Sequence, residues 1–299
     1  MLLGEHAVLR GRPAVVAAVE PRLTVEARPR PDRRVGVESP FGSVSLSREE
    51  LRPPWTGPLR FAMAATAAAS EVFDGGCALS IRSDIPSDVG LGSSAAVTVA
   101  TIGALHALAG RAPAPHDVHA AALAAIRAVQ GTGSGADAAA SIWGGAVQYR
   151  ADPVEVRPLG AVPPLTLVYC GYKRSTPEVV ARVGLLCRAA PAFCEAVFSA
   201  MGAAAMEGAA ALLGGDLAGL GRWMNAGHAL MAALELETPE LRAIADWLRA
   251  QPGVHGAKIS GSGLGDCVVA IGRCACAPPA GRLIAAEGTA SGLVVEGGP

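Results

Sequence analysis

A stretch rich in glycine and serine in the first third of the chain carries residue types that bind anions. It spans residues 85–99 and reads IPSDVGLGSSAAVTV. Gly90 and Gly92 allow a ligand to approach the backbone closely. Ser93 and Ser94 then place hydroxyl groups beside the first free N–H groups of a predicted helix. Because these N–H groups and the helix dipole favour negative charge, the stretch predicts a phosphate site.

A second stretch, residues 131–145, reads GTGSGADAAASIWGG and contains a single acid, Asp137. Its glycines predict a turn. An aspartate in such a turn is ordinarily a turn or helix-cap residue. The residues alone therefore favour a structural role for Asp137.

Two further stretches contain polar residues between predicted strands. Residues 258–272 read KISGSGLGDCVVAIG, which predicts a strand, a glycine loop and a second strand. Backbone N–H groups in that loop could approach a phosphate or a bound substrate. Residues 4–16 read GEHAVLRGRPAVV, with Glu5 and His6 at the end of a buried strand predicted over residues 1–9.

Several common nucleotide and nucleophile motifs do not fit. A Walker A loop has a lysine after its last glycine, where this chain has Ser93. The glycine spacing also differs from that of the dinucleotide-binding pattern. Neither Ser134 nor Ser262 has glycines two residues away on both sides, so no nucleophile elbow is present.

The residues PSDVGLGSSAA instead closely resemble the phosphate-binding motif of the GHMP kinases, the family of galactokinase and of homoserine, mevalonate and phosphomevalonate kinases. Residues 131–145 resemble the family's SGxD element, and residues 258–272 resemble its third motif. The three motifs occur in order, so the resemblance covers nearly the whole chain. It implies an α+β fold with a ribosomal-protein-S5-like ATP-binding domain over residues 1–160. A ferredoxin-like domain would follow over residues 161–299, with the active site between the two.

The resemblance also implies roles for individual residues. One group would bind ATP: Pro86, Gly90, Leu91, Gly92, Ser93, Ser94 and Ala95. A second group would contact the substrate: Glu5, His6, Ser175, Thr176, Gly261, Ser262 and Gly263. Ser94 would hold Mg²⁺, and Asp137 would be the general base that takes the proton from the substrate hydroxyl. Without the resemblance, Ser175 and Thr176 are simply the start of a helix.

Different segments of the chain resemble different members of the family. The GEH opening, His6 and the segment MNAGHALMAAL resemble mevalonate kinases, which implies phosphorylation of the 5-hydroxyl of mevalonate. The segments AVQGTGSGAD and VTVAT and the pair Asp266-Cys267 look more like phosphomevalonate kinases, so phosphomevalonate is the alternative substrate. A third interpretation is a sensor with the same fold that binds ATP or a metabolite without turnover.

Two positions depart from the pattern of mevalonate kinases. The glutamate that helps to hold magnesium would stand eleven residues before Asp137, where this chain has Ile126. The metal would then depend on Ser94, the phosphates and water, which magnesium accepts. The family's lysine would lie two residues upstream of Met1. We therefore expect the chain as written to bind ATP but to phosphorylate slowly, and an in-frame Gly-Lys-apolar extension to restore the rate.

The composition argues against several other classes of protein. A net charge of −1 gives no electrostatic case for nucleic-acid binding. Seven scattered cysteines predict neither a disulfide framework nor a zinc site. Residues 95–109 are too short to span a membrane, residues 198–220 are interrupted by acids and glycines, and no signal peptide is evident. We therefore expect a soluble cytoplasmic protein with a small-molecule substrate and no membrane partner, compatible with a homodimer.

Lysine is rare in this chain. Of 25 basic residues only Lys173 and Lys258 are lysines. Because arginine serves almost everywhere else, a retained lysine suggests a site that needs a compact ammonium group instead of a planar guanidinium.

Overall fold

The computed structural model of the chain describes residues 1–86, 88–112 and 114–297. These residues form two compact units. The first unit comprises the described residues among 1–20, 87–90 and 144–290, and the second unit those among 21–86, 91–143 and 291–299. The units are defined by packing and the two predicted domains by family resemblance, so the domain boundary after residue 160 stays a prediction.

The strands lie in four sheets. The strands are β1 (Ala14–Ala17), β2 (Val19–Glu20), β3 (Leu23–Arg30), β4 (Val35–Ser39), β5 (Gly42–Leu46), β6 (Gly76–Ser83), β7 (Ala146–Ala151), β8 (Val154–Gly160), β9 (Leu165–Tyr169), β10 (Gly256–Ser260), β11 (Cys267–Ile271), β12 (Arg282–Ile284) and β13 (Glu287–Gly288). The first unit contains the sheets β1-β7-β8, β10-β11-β9-β12 and β13-β2. The second contains the sheet β3-β6-β4-β5, in which only β4 and β6 pair in parallel.

Helices flank these sheets in both units. The helices are α1 (Arg60–Ala68), α2 (Ser93–Leu108), α3 (Pro115–Gln130), α4 (Ala136–Trp143), α5 (Thr176–Ala189), α6 (Pro191–Leu213), α7 (Leu217–Ala233) and α8 (Pro239–Arg249). Helices α1 to α4 belong to the second unit and α5 to α8 to the first. The mixture of helices and strands agrees with the predicted α+β class.

Helix α2 forms the centre of the core of the second unit. Its side chains Val99, Ile102 and Leu105 are buried together with Leu79 and Ile81 of β6. The helix contacts α1 and α3 as well as the sheet, which explains why its sequence is apolar on nearly all sides. Burial on several sides holds the start of α2 in a fixed position.

Helix α7 fixes strand β10 in the first unit. The two elements approach closely at a glycine, because a Cβ atom on Gly221 would lie 2.1 Å from the carbonyl oxygen of His255. Two polar side chains of α7 then bind the backbone of β10. Asn225 Oδ1 accepts a hydrogen bond from the N–H of Ala257 at 3.0 Å, and His228 Nδ1 accepts one from the N–H of Ile259 at 3.2 Å. Strand β10 carries Lys258 between these two contacts.

The strand predicted at the start of the chain is wrong. Ala7–Arg10 is a short 3₁₀ helix, and extended pairing is limited to a single bridge between Leu3 and Val15. The physical reason is backbone geometry, because Gly4 has φ +91° and His6 has φ +58°. Positive φ values end an extended conformation.

Helix α6 is long and apolar enough to cross a membrane by length and composition. Val197, Phe198, Met201 and Ala205 are buried in the core of the first unit. A buried core helix passes the same length and composition test. The length and composition of α6 are therefore only weak evidence for a membrane-spanning role.

Candidate active site

The start of α2 has the geometry of an anion site. Gly92 precedes the helix in the left-handed conformation, with φ +73°. The first helical hydrogen bond runs from the N–H of Ala96 to the carbonyl oxygen of Gly92 at 2.9 Å. The N–H groups of Ser93, Ser94 and Ala95 come before that bond, so helix geometry leaves them without an intrahelical acceptor. Phosphate binding at this point stays a prediction.

Asp137 lies beside this helix start, within the second unit. A Cβ atom placed on Gly92 would lie 3.6 Å from Asp137 Cβ and 3.8 Å from its Cγ. The aspartate is in the first turn of α4 and is exposed, whereas its neighbours Ala136 and Ala138 are buried. The structural interpretation of Asp137 as a turn or helix-cap residue is therefore wrong, because α4 begins at Ala136 and Asp137 lies inside its first turn.

The turn before Asp137 is held by side chains of α3. His119 Nε2 lies 3.0 Å from the carbonyl oxygen of Gly135, and Arg127 Nε donates to that of Gly133 at 3.0 Å. A carbonyl oxygen only accepts hydrogen bonds, so Nε2 of His119 carries the proton. Burial lowers the pKa of His119 and favours the neutral ring. These contacts fix the backbone that leads into α4 and thereby the position of Asp137.

In the first unit, the GEH residues are held by constraints on their own backbone. A Cβ atom on Gly4 would lie 2.6 Å from Ala14 Cα, so only glycine fits there. His6 has φ +58°, and its Nε2–H donates to the carbonyl oxygen of Ser262 at 2.8 Å. Burial also lowers the pKa of His6. The contact connects the GEH segment with the glycine loop between β10 and β11.

Glu5 makes a second connection to that region through a buried ion pair. The ammonium group of Lys258 contacts Glu5 Oε1 and also the carbonyl oxygen of Ile259. Lys258 is fully buried and Glu5 is 2% exposed. Glu5 Oε2 has no hydrogen-bond partner among the described residues. Burial lowers the pKa of Lys258, and the Glu5 carboxylate opposes that shift.

The glycine loop between β10 and β11 contains three glycines with positive φ. The φ values are +89° at Gly261, +88° at Gly263 and +132° at Gly265. At Gly263 a side chain has no room, because a Cβ atom would lie 2.8 Å from Leu236 Cβ. The predicted substrate residues Gly261, Ser262 and Gly263 therefore lie in one loop, and His6 contacts that loop at Ser262.

Ser175 and Thr176 lie at the start of α5, as predicted. Ser175 is the N-cap residue, and its N–H donates to Glu178 Oε2 at 3.4 Å. Both residues are exposed. Within the part of the chain that the structure describes, no hydrogen bond joins them to Glu5 or His6, so their substrate role stays a prediction.

The remaining residues predicted to bind ATP differ in their burial. Pro86 and Leu91 are half-buried and Ala95 is buried. Ser87, which belongs to the same motif, lies outside the described residues.

Among residues 1–86, 88–112 and 114–297 no group of three His, Cys, Asp or Glu side chains could hold a metal ion. Ile126 is buried in the core of the second unit, where it could not act as a ligand.

Sequence reasoning missed two contacts of this region. One is the pairing of Lys258 with Glu5, although the scarcity of lysine pointed to position 258. The other is Asp266, whose Oδ1 accepts a hydrogen bond from the N–H of Gly90 at 2.8 Å. Both contacts join residues far apart in the chain, and neither has a local sequence signal.

Known proteins resemble this chain over most of its length. Family models described as the N terminal domain and the C terminal domain of GHMP kinases match residues 60–145 and 194–273. The mevalonate kinase of Thermococcus sibiricus is 32% identical over 288 residues, which cover 91% of this chain and 86% of that protein.

Two solved structures are also similar. The mevalonate kinase of L. major, in complex with R-mevalonate, is 27% identical with a TM-score of 0.73, covering 92% of this chain and 85% of that one. The phosphomevalonate kinase of Streptococcus pneumoniae, in complex with phosphomevalonate and AMPPNP, has a TM-score of 0.75 at 17% identity, covering 92% and 90%. At that identity the likeness concerns the fold alone.

The buried ion pair predicts an asymmetric response to mutation. Lys258→Met leaves the Glu5 carboxylate buried without its cation, so the free energy of unfolding should fall by about 3–5 kcal/mol. The double variant Glu5→Gln/Lys258→Met removes both charges and should recover much of that loss. Urea unfolding measures both. Lys173→Met is the matched control, because Lys173 is half-exposed and its ion pair should contribute at most about 1 kcal/mol. A Lys258→Met protein as stable as the control would contradict this interpretation.

Proposed function

Because this chain belongs to the GHMP kinase family, whose members use ATP as a substrate, we propose that it transfers the γ-phosphoryl group of ATP to the 5-hydroxyl of mevalonate. The relatives named mevalonate kinase support this acceptor at about 30% identity across 91% of the chain. The chain covers 86% of the length of the first of them, so the resemblance concerns nearly the whole enzyme.

The observation that carries the proposal is the placement of Asp137 next to Gly92. Phosphoryl transfer depends mainly on positioning and on stabilising negative charge, with little covalent chemistry for the protein to perform. Free N–H groups at a helix start can stabilise the phosphates, and a nearby carboxylate can accept the proton of the attacking hydroxyl. In the second unit both kinds of group lie near the start of α2, since a Cβ atom on Gly92 would lie 3.8 Å from Asp137 Cγ.

Each predicted residue then has a role in this reaction. The backbone of residues 90–95 binds the phosphates of ATP. Asp137 removes the proton from the 5-hydroxyl as the oxygen attacks phosphorus. Glu5, His6 and the loop over residues 261–263 bind the substrate, helped by the side chains at the start of α5.

Magnesium fits this donor set. Ser94 supplies a hard oxygen, and Mg²⁺ commonly takes one or two protein ligands and completes its shell with phosphate oxygens and water. Ser94 would hold the ion. When bound, the ion neutralises part of the charge on the phosphates. Ile126 leaves the protein with fewer oxygen ligands than the family pattern provides, so we expect metal binding to depend strongly on the nucleotide.

We further propose that the protein is cytoplasmic and acts on a small molecule, as expected for a metabolic kinase. Phosphomevalonate remains the competing acceptor that an experiment has to exclude. ADP release should be measured with mevalonate, phosphomevalonate and homoserine at equal concentrations. Mevalonate should give the highest kcat/KM. A far higher kcat/KM with phosphomevalonate would overturn the assignment, and ATP binding without substrate-dependent ADP release would point to a sensor.

The role of Asp137 predicts a defect in turnover rather than in nucleotide binding. Asp137→Asn removes the base and should lower kcat by about 10²- to 10⁴-fold, with the Kd for ATP near that of the wild type. Steady-state kinetics and calorimetry measure the two quantities. Asp117→Asn is the matched control, since Asp117 is also an exposed acid in the first turn of a helix. An Asp137→Asn protein with wild-type kcat would leave Asp137 a structural role only.

The role of Ser94 predicts an altered dependence on magnesium. Ser94→Ala removes a metal and phosphate ligand, so the rate should fall and the fall should be larger at low magnesium concentration. Ser93→Ala provides the comparison, because Ser93 lies at the same helix start. Magnesium titrations of the kinase rate test this. An unchanged titration curve for Ser94→Ala, with an altered one for Ser93→Ala, would assign the role to Ser93.

A further inference from the structure

Asp266 has a left-handed backbone conformation, which aspartate tolerates better than most other non-glycine residues. It lies in the glycine loop between β10 and β11 with φ +74°, in the left-handed region that non-glycine residues seldom occupy. Its N–H donates to the carbonyl oxygen of Tyr172 at 2.8 Å, and its carbonyl oxygen accepts from the N–H of Cys170 at 2.9 Å. These contacts hold the residue in that conformation. It is 6% exposed.

The carboxylate of Asp266 contacts the first glycine of the GLG segment. Oδ1 accepts a hydrogen bond from the N–H of Gly90 at 2.8 Å, and Oδ2 lies 3.7 Å from Lys173 Nζ. All three residues belong to the first unit. A Cβ atom on Gly90 would lie 1.6 Å from Asp266 Oδ2. Only glycine fits at position 90, because the carboxylate of Asp266 occupies the space that a side chain would need.

This contact restricts the segment that leads to the start of α2. Gly90 stands two residues before Gly92, and its N–H direction is set by a charged acceptor. Charge-assisted hydrogen bonds to a backbone N–H are roughly twice as strong as neutral ones. The unfavourable φ at Asp266 adds a cost that a glycine at this position would avoid. Strained residues that the surrounding structure fixes are often found at functional sites.

We propose that Asp266 is a positioning residue for nucleotide binding: its carboxylate orders the glycine-serine segment at Gly90 before ATP arrives. The inference rests on the proposed nucleotide role of residues 90–95. A segment ordered in advance loses less conformational entropy when the ligand binds. Lys173 supports the carboxylate as a counter-ion, and its partial exposure makes that contribution small.

The test uses the full chain and measures the Kd of Mg·ADP by calorimetry, without any acceptor. Asp266→Gly should weaken binding by about tenfold, or about 1.4 kcal/mol, because the hydrogen bond to Gly90 is lost. The same variant should keep a Tm near that of the wild type, because the release of strain at φ +74° offsets the lost hydrogen bond. Asp266→Asn keeps an oxygen acceptor and tolerates the left-handed region, so it should bind Mg·ADP nearly as the wild type does.

Glu235→Gly is the matched control for the backbone effect. Glu235 also has a positive φ, +60°, and is exposed. It should keep or raise the Tm without changing the Kd, because glycine adopts φ +60° without strain. If Asp266→Gly and Glu235→Gly both leave the Kd unchanged, the proposal is wrong. If Asp266→Gly lowers both the Tm and the affinity and Asp266→Asn does not restore them, Asp266 is a structural residue only.

A double-mutant cycle with Gly90→Ala adds an independent measurement. In the wild type the new methyl group would displace the Asp266 carboxylate, so Gly90→Ala should weaken Mg·ADP binding. In the Asp266→Gly background that collision is absent, and Gly90→Ala should have a smaller effect. Additive effects would contradict the proposal. A wild-type protein that binds no Mg·ADP would instead contradict the proposed function, so the two failures can be told apart.

Discussion

The buried charge of Lys258 is the constraint on which the arrangement of the first unit depends. An ammonium group with no exposed surface must have an anionic partner, because an unpaired charge in the interior is far more costly than an unpaired polar group. Glu5 is that partner. The pair fixes the GEH segment against β10, and α7 fixes β10 through Asn225 and His228. The position of the GEH segment therefore follows in part from the burial of one cation.

In the second unit, the charge of a bound anion would be stabilised by dipoles instead of by a charged side chain. At the start of α2 the groups available to an anion are backbone N–H donors and hydroxyls, in place of the lysine that a Walker A loop would supply. The helix holds these dipoles in a fixed direction, so they need little reorganisation when an anion binds. Within the second unit, Asp137 then supplies a negative charge beside this helix start. A preorganised set of dipoles beside a carboxylate suits a reaction in which negative charge moves between oxygen atoms.

Local patterns predicted the fold better than they predicted the site. The pair Ser175-Thr176 indicated the start of α5, and the glycine-serine pattern located the beginning of α2. The strand expected before Gly4 was wrong, because the positive φ of His6 has no signature in the residue types. The contact between Glu5 and Lys258 spans 253 positions, so no local pattern could predict it. Only the rarity of lysine marked Lys258, and that signal gave no partner.

The two lysines differ in a way that matters for chemical labelling. Lys258 is fully enclosed, whereas the side chain of Lys173 is 41% exposed and lies 3.7 Å from Asp266. Reagents that acylate side-chain amines therefore have a single accessible target in the folded protein, and all other basic side chains are guanidinium groups or imidazoles. A fluorophore attached at Lys173 would sit beside the carboxylate that binds Gly90. The composition of the chain thus limits side-chain labelling to one lysine, and blocking the α-amino group first would make the reporter site-selective without any engineered cysteine.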